Sequence, residues 1–220
     1  MTQGFLIGEV VRRTTGVSLG TFFRKEIAEP LDADFHIGLD PRHFGRVGEL
    51  IPPPDGTIPL AGGPADSIGA RAFKSPLINA AASGTDAWRR AELPAINGHG
   101  NARSVAKVQS LIANGGHAFG KQILSRQGCD RVFDEQTNGP DLVLGFPIRF
   151  GMGYALNSAT LPLGPNPHTC FWAGWGGSLV IIDADAHICL SYVMNKMAHG
   201  LVGDSRGGRL AAAVYQSLMG

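Results

Sequence analysis

The run Leu179-Val180-Ile181-Ile182 is followed, after Asp183-Ala184-Asp185-Ala186, by a second apolar run from Ile188 to Met194. Two apolar, β-branched runs joined by a turn-sized tetrapeptide fold back on each other, so the pair reads as an antiparallel hairpin. That hairpin constrains the whole chain, because a sheet needs another layer to cover each apolar face. The residues just before it supply more strand: Cys170-Phe171-Trp172 is apolar, and Phe146-Pro147-Ile148-Arg149-Phe150 alternates. Over 206–218 the spacing becomes helical, with Leu210, Val214 and Leu218 four apart on one side.

The first part of the chain reads differently. Residues 5–14 place Phe5, Leu6, Val10 and Val11 at helical spacing, with Gly16 as the stop. Ser18 opens a second helix that Pro30 ends. Helical spacing recurs at 85–92, over 102–113 and from Phe119 to Leu124; the second of these stops on Asn114-Gly115-Gly116. Residues 31–66 gather Pro, Gly and Asp around Ile51-Pro52-Pro53-Pro54-Asp55-Gly56 and read as a long irregular excursion of the kind that borders binding sites. The expected architecture is one α+β domain without internal repeats. It runs as helices (1–30), a long loop (31–66), a helical part (67–145), then antiparallel strands and a closing helix (146–220).

Composition narrows the function. Nineteen basic and eighteen acidic residues leave a net charge of +1, without the electrostatic footprint of a nucleic-acid or anionic-membrane partner. A hydrophobic share of 44% excludes a disordered chain. Cys129, Cys170 and Cys189 have neither CxxC spacing nor clustered histidines, so they predict no disulfide framework, no metal site and a reducing, cytoplasmic setting. No apolar run approaches the roughly 20 residues that span a bilayer. The sequence enters an amphipathic helix almost at once, which predicts a chain that begins midway through a domain.

Several residue patterns could carry chemistry. Gly115 to Lys121 fits GxxxxGK, but Gln122 stands where a phosphate loop needs Ser or Thr, and a helix precedes it; a double-glycine helix stop accounts for the same residues. Ser104-Val105-Ala106-Lys107 fits S-x-x-K, in which a lysine one turn after a serine can take its proton; a solvated lysine on an ordinary helix reads equally. Asp183, Asp185 and His187 would share a face in an extended strand, as a hard-metal site or as ordinary turn carboxylates. Asn97 and His99, beside Gly98 and Gly100, are candidates to line a pocket. In Phe171-Trp172-Ala173-Gly174-Trp175-Gly176-Gly177-Ser178, glycines beside a strand permit close approach of a ligand or of another backbone, and tryptophan can wall a pocket; tight packing against a helix needs the same residues.

Here the chain resembles the serine β-lactamase-like superfamily, most of all the family VIII carboxylesterases, which are similar to class C β-lactamases. The resembling residues, in order, are Gly8 to Arg13, Ser18-Leu19-Gly20, Phe23 to Leu31, Asn97 to Ser104, Trp175-Gly176-Gly177-Ser178 and Tyr192 to Met197. The resemblance implies a β-lactamase/transpeptidase-like fold and ester hydrolysis through an acyl-enzyme, with weak β-lactam turnover. It implies no cofactor. Three motifs build such a site: an S-x-x-K, a tyrosine motif, and a KTG-like strand that is often WGG in these esterases. Trp175-Gly176-Gly177 matches the third, which would make the Ser178 N–H one oxyanion donor. The first two belong upstream of residues 5–14, so the resemblance implies the C-terminal portion of the enzyme, inactive alone. Its substrate would be a small ester or amide-like molecule, met only when a further chain supplies the N-terminal half. Two other readings stay open: a rebuilt hydrolase using Ser104 and Lys107, and a non-catalytic scaffold that binds through the wall around Trp175.

Overall fold

The computed structural model describes residues 2–58, 64, 66–74 and 77–219. Positions 59–63 and 65 of the expected excursion, 75–76 of the helical part, Met1 and Gly220 lie outside the described residues.

The chain opens with α1 (Thr2–Thr15) and α2 (Leu19–Phe23), the latter continuing as a wider π turn over Arg24–Ala28. Ser18 caps α2: its hydroxyl accepts the Thr21 N–H and donates to Glu92 at 2.6 Å, and Glu92 in turn accepts the Gly20 N–H. α1 packs through its small residues. Gly4 is buried against Ala95, and Gly8 lies against Leu19 and Pro94. Its large apolar side chains turn outward, with Leu6 64% and Val10 61% exposed.

The 31–66 excursion contains β1 (Phe35–His36) and a 3-10 turn over Pro41–Arg46 capped by Asp40. Then come α3 (Ile68–Lys74), α4 (Asp86–Arg90) capped by Thr85, β2 (His99–Gly100) antiparallel to β1, and α5 (Ala102–Ala113) capped by Asn101. The helix expected over 119–124 is a tight hairpin instead, β3 (His117–Ala118) against β4 (Lys121–Gln122). Phe119 and Gly120 sit at φ +49° and +75°, the backbone of a two-residue hairpin turn. After α6 (Arg126–Asp130), β5 (Thr137–Pro140) already begins the sheet, inside the stretch expected to be helical.

With β6 (Pro147–Phe150), β7 (Ala155–Leu156), β8 (Thr169–Ala173), β9 (Leu179–Asp183) and β10 (Ile188–Tyr192), β5 forms one antiparallel meander in the order β10-β9-β8-β7-β6-β5. The hairpin expected from the sequence is β9–β10, with Asp183 opposite Ile188. Strand alternation splits the core into two layers. Leu156, Cys170 and Ile182 pack with Ile112 and Ala113 of α5 on one face. Ala155, Phe171, Ala173, Leu179 and Ile181 pack on the other with Ala211 of α7 (Ser205–Leu218). Each of the buried Leu, Ile and Phe side chains contributes about 1.5–3 kcal/mol. α7 meets the sheet through Gly207 and Ala211 and leaves Leu210 and Leu218 largely exposed, unlike the leucine side expected from the spacing. All three cysteines are free thiols, and burial pushes Cys170 and Cys189 up to about 12, so they act as small apolar core residues.

Candidate functional site

Ser104 and Lys107 both line a depression of about 530 Å³ at the start of α5, together with Asp32, Asp34, Asn101, Ala102 and Arg103. They do not form a nucleophile and base pair. The buried Ser104 hydroxyl donates to Asn101 Oδ1 at 3.0 Å, and the same oxygen accepts the Ser104 N–H at 2.9 Å as the cap of α5. The Lys107 ammonium is held by Asp32, through its carbonyl at 2.6 Å and its carboxyl at 3.1 Å. A serine whose proton already has an acceptor one turn back, beside a lysine that donates elsewhere, lacks the geometry of activation.

Neither Asn97 nor His99 is among the residues that line this depression. Asn97 is 3% exposed; its side chain accepts the Leu93 N–H and donates to the carbonyls of Trp88 and Ala91, which uses it to lock the 88–97 turn. His99 is opposite His36 in the β1–β2 pair, and burial lowers its pKa and favours the neutral ring. The flanking glycines answer to packing. A Cβ on Gly98 or Gly100 would fall within 2.5 Å of the Phe35 ring. Asp183, Asp185 and His187 diverge: Asp183 is buried beneath α7, Asp185 binds His168, and His187 Nδ1 lies 3.1 Å from the Ala113 carbonyl. Among the described residues no group of three or more His, Cys, Asp or Glu is placed to hold a metal.

The WGG segment is placed differently from the expectation. Trp175-Gly176-Gly177 is the turn between β8 and β9, not a strand. Gly176 and Gly177 have φ +97° and +120° and face the molecule's own 194–206 segment. A Cβ on Gly176 would meet Met194 and Met197, and one on Gly177 would meet Asp204 and Arg206. The Gly176 N–H donates to the Gly200 carbonyl, and its own carbonyl accepts from Ala198 N–H and Arg206. The Ser178 carbonyl accepts the Gly174 N–H at 2.9 Å, and the Gly174 carbonyl accepts the Gly177 N–H at 3.1 Å, so the Ser178 carbonyl is used inside the hairpin.

The open edge lies three residues earlier. Because Gly174 bonds toward β9, the main-chain groups of Ala173 point the other way, toward β7. β7 stops pairing at Ala155 opposite Phe171, so Ala173 projects past its end. The Trp175 N–H also meets no acceptor among the described residues. Trp172 flanks this edge, 37% exposed, with its ring 5.5 Å from that of Phe150. The residue list alone could have suggested Trp172-Ala173-Gly174 as readily as Trp175-Gly176-Gly177; strand register separates them.

An antiparallel sheet between helical layers, with one strand left partly open beside a tight glycine turn, is the architecture of the β-lactamase-like fold. The Beta-lactamase family model matches residues 1–214, and the chain belongs to that family. It is 32% identical over 220 residues to the esterase/beta-lactamase LipL of Mycobacterium tuberculosis, a match covering 94% of this chain and 50% of that protein. Among solved structures it is similar to a penicillin-binding protein homologue from Caulobacter crescentus, with 36% identity, a TM-score of 0.88 and coverage of 98% of this chain and 57% of that one. A family VIII carboxylesterase matches with 37% identity, a TM-score of 0.83 and coverage of 95% and 55%. The chain thus spans about half the length of these relatives. No helix among the described residues is long and apolar enough to cross a membrane.

Proposed function

We propose that this chain forms the C-terminal wall of a serine hydrolase that cleaves small esters through an acyl-enzyme, with weak turnover of β-lactams, and that it is inactive alone. The observation that carries the reading is the β8 edge at Trp172–Trp175. Its free N–H groups, on Ala173 and Trp175, are of the kind that binds an acyl oxygen as negative charge develops there. Trp172 would supply the apolar surface beside it for the acyl or alcohol group. In this division of labour the nucleophile and its base come from the portion of the fold that the relatives carry outside the match, and the wall positions the substrate for them. The hydrogen bonds of Ser104 and Lys107 argue against a rebuilt site on α5.

The test is hydrolysis of p-nitrophenyl butyrate by the 220-residue chain, alone and co-produced with the portion of the Caulobacter homologue that the match leaves uncovered. Expected are no turnover alone, turnover in the complex, and a lower kcat/KM with Trp172→Ala. Robust hydrolysis by the chain alone rejects the proposal, as does an active complex indifferent to Trp172→Ala.

A further inference from the structure

The 3-10 turn over Pro41–Arg46 and α4 gather positive charge around one aromatic ring. The guanidinium carbons of Arg89 and Arg90 lie 5.4 and 5.1 Å from the centre of the Phe44 ring. Arg42 and Arg46 stand on either side of Phe44 in the turn, and the His43 ring lies 5.0 Å from that of His36. Few carboxylates answer them. Asp34 binds Arg46 and, at 3.1 Å, His36. Asp40 accepts the Arg42 N–H at 3.0 Å and lies 3.7 Å from its Nε. Glu92, just beyond α4, is taken by Ser18 and Gly20. Among the described residues neither Arg89 nor Arg90 pairs with a carboxylate, so two guanidinium charges are left over.

Donors are in surplus as well as charge. The Arg42 Nε lies 3.2 Å from His43 Nε2, and the Arg46 Nη1 lies 3.3 Å from His43 Nδ1. A neutral imidazole offers one acceptor nitrogen and one N–H, and a guanidinium only donates. In either tautomer one of the two arginines satisfies the ring and the other meets an N–H. A protonated ring would oppose both. Arg89 adds a further case: its Nε is sealed from solvent and meets no acceptor among the described residues. Donors that face one another, or face nothing, are satisfied together by a group that only accepts.

We propose that this cluster binds a tetrahedral dianion of the phosphate class. An ionised phosphate oxygen accepts and does not donate, so it can seat between His43 and either arginine and end the conflict there. The two surplus positive charges match the two negative charges of such a ligand, where a carboxylate brings only one. Guanidinium forks suit pairs of its oxygens. Arg42 and Arg46, 72% and 59% exposed, leave the seat reachable from water, while the Phe44 ring holds Arg89 and Arg90 beside it. The same surplus of charge repels a metal cation. Such a site owes nothing to the ester chemistry proposed at β8.

Amide NMR shifts of the 220-residue chain test the site, with inorganic phosphate, glycerol 3-phosphate and acetate added at fixed ionic strength. Expected are saturable shifts confined to residues 36–46 and 86–91 with both phosphates, and binding of acetate weaker by about tenfold. The larger response of the two phosphates tells a free ion from a phosphomonoester as the better occupant, and either supports the site. Arg42→Gln and Arg46→Gln are each expected to weaken phosphate binding about tenfold. Arg103→Gln, which removes an exposed charge from α5, is expected to leave it unchanged. If circular dichroism shows that Arg46→Gln does not fold, Arg42→Gln and the shift map of the parent chain decide. The proposal is overturned by an absence of shifts, by shifts centred on the start of α5, or by equal responses to phosphate and acetate. A loss of affinity in Arg103→Gln as large as in Arg42→Gln overturns it too, because net charge alone would then explain the binding.

Discussion

The Tyr215 hydroxyl, on α7, donates to the carboxyl group of Asp183, on β9, at 3.0 Å. Asp183 is fully buried, and it also accepts from the Asn166 side chain and from the N–H groups of Asp185 and Ala186. One side chain thus ties the β9–β10 turn, the 157–168 loop and the closing helix together. Burial, and then the Asp183 bond, push the tyrosine up and keep it a donor at ordinary pH. Tyr215→Phe leaves a buried acceptor one partner short and is expected to cost about 1–3 kcal/mol. Urea unfolding and a lowered Tm check it.

Asn101 holds α5 where the sheet needs it, because α5 covers the Cys170 and Ile182 face. Asn101→Ala removes the cap bond to the Ser104 N–H and is expected to destabilise by about 0.5–2 kcal/mol, whereas Asn101→Asp retains the cap. Ser104→Ala, by contrast, is expected to leave ester hydrolysis by the complemented protein unchanged. A loss of that hydrolysis with an intact fold would restore Ser104 as a candidate nucleophile.

The turn at Trp175–Gly177 is clamped from the α7 side. Arg206 donates to the Gly176 and Lys196 carbonyls and pairs with Asp204, whose carboxyl also caps α7. The Arg206 guanidinium holds Asp204 below its ordinary value of 3.8. A carboxyl group depressed by folding stabilises fully above its unfolded value and loses that contribution as the pH falls through the lower folded value. The pair is only partly exposed, 33% at Arg206 and 14% at Asp204, and solvent screening at the guanidinium keeps its expected share to about 1 kcal/mol. Asp204→Asn keeps a capping oxygen but removes the charge. Urea midpoints of parent and variant should differ at neutral pH and converge as the pH drops below 3.8.

Gly177→Ala is expected to be among the more damaging single methyl additions in the chain. The residue sits at φ +120°, and the new Cβ would lie 2.0 Å from Asp204 Oδ2. Left-handed backbone alone costs about 1–2 kcal/mol for a residue with a Cβ. Gly45→Ala, with open space around it and no positive φ, serves as the control and should be close to neutral or stabilising. Denaturation of both variants under one buffer measures the contrast.

The sequence pattern revealed much of the fold for a physical reason. Helix and strand periodicities are local, so the β9–β10 hairpin, α1, α5 and α7 could be read from their own residues. Phe119-Gly120 was unreadable because an apolar residue at positive φ is set by tertiary context, not by its own propensity. The site was harder. Gly98, Gly100, Gly176 and Gly177 looked like room for a ligand, yet that room is filled by Phe35 in two cases and by the 194–206 segment in the others. Composition reports that something comes close; only the fold says whether it belongs to the same chain. α1 carries the same lesson, since its helical spacing was visible while the outward turn of Leu6 and Val10 was not.

The proline that closes β5 has a consequence for assembly. A sheet that can lengthen at both ends is a monomer unit of a filament, each copy passing its free edge to the next. Among the described strands, β5 ends in a residue without an N–H, whereas β10 at the opposite edge has an N–H on every residue. Pro140 therefore withholds a donor from the β5 rim and disfavours lengthening of the sheet on that side.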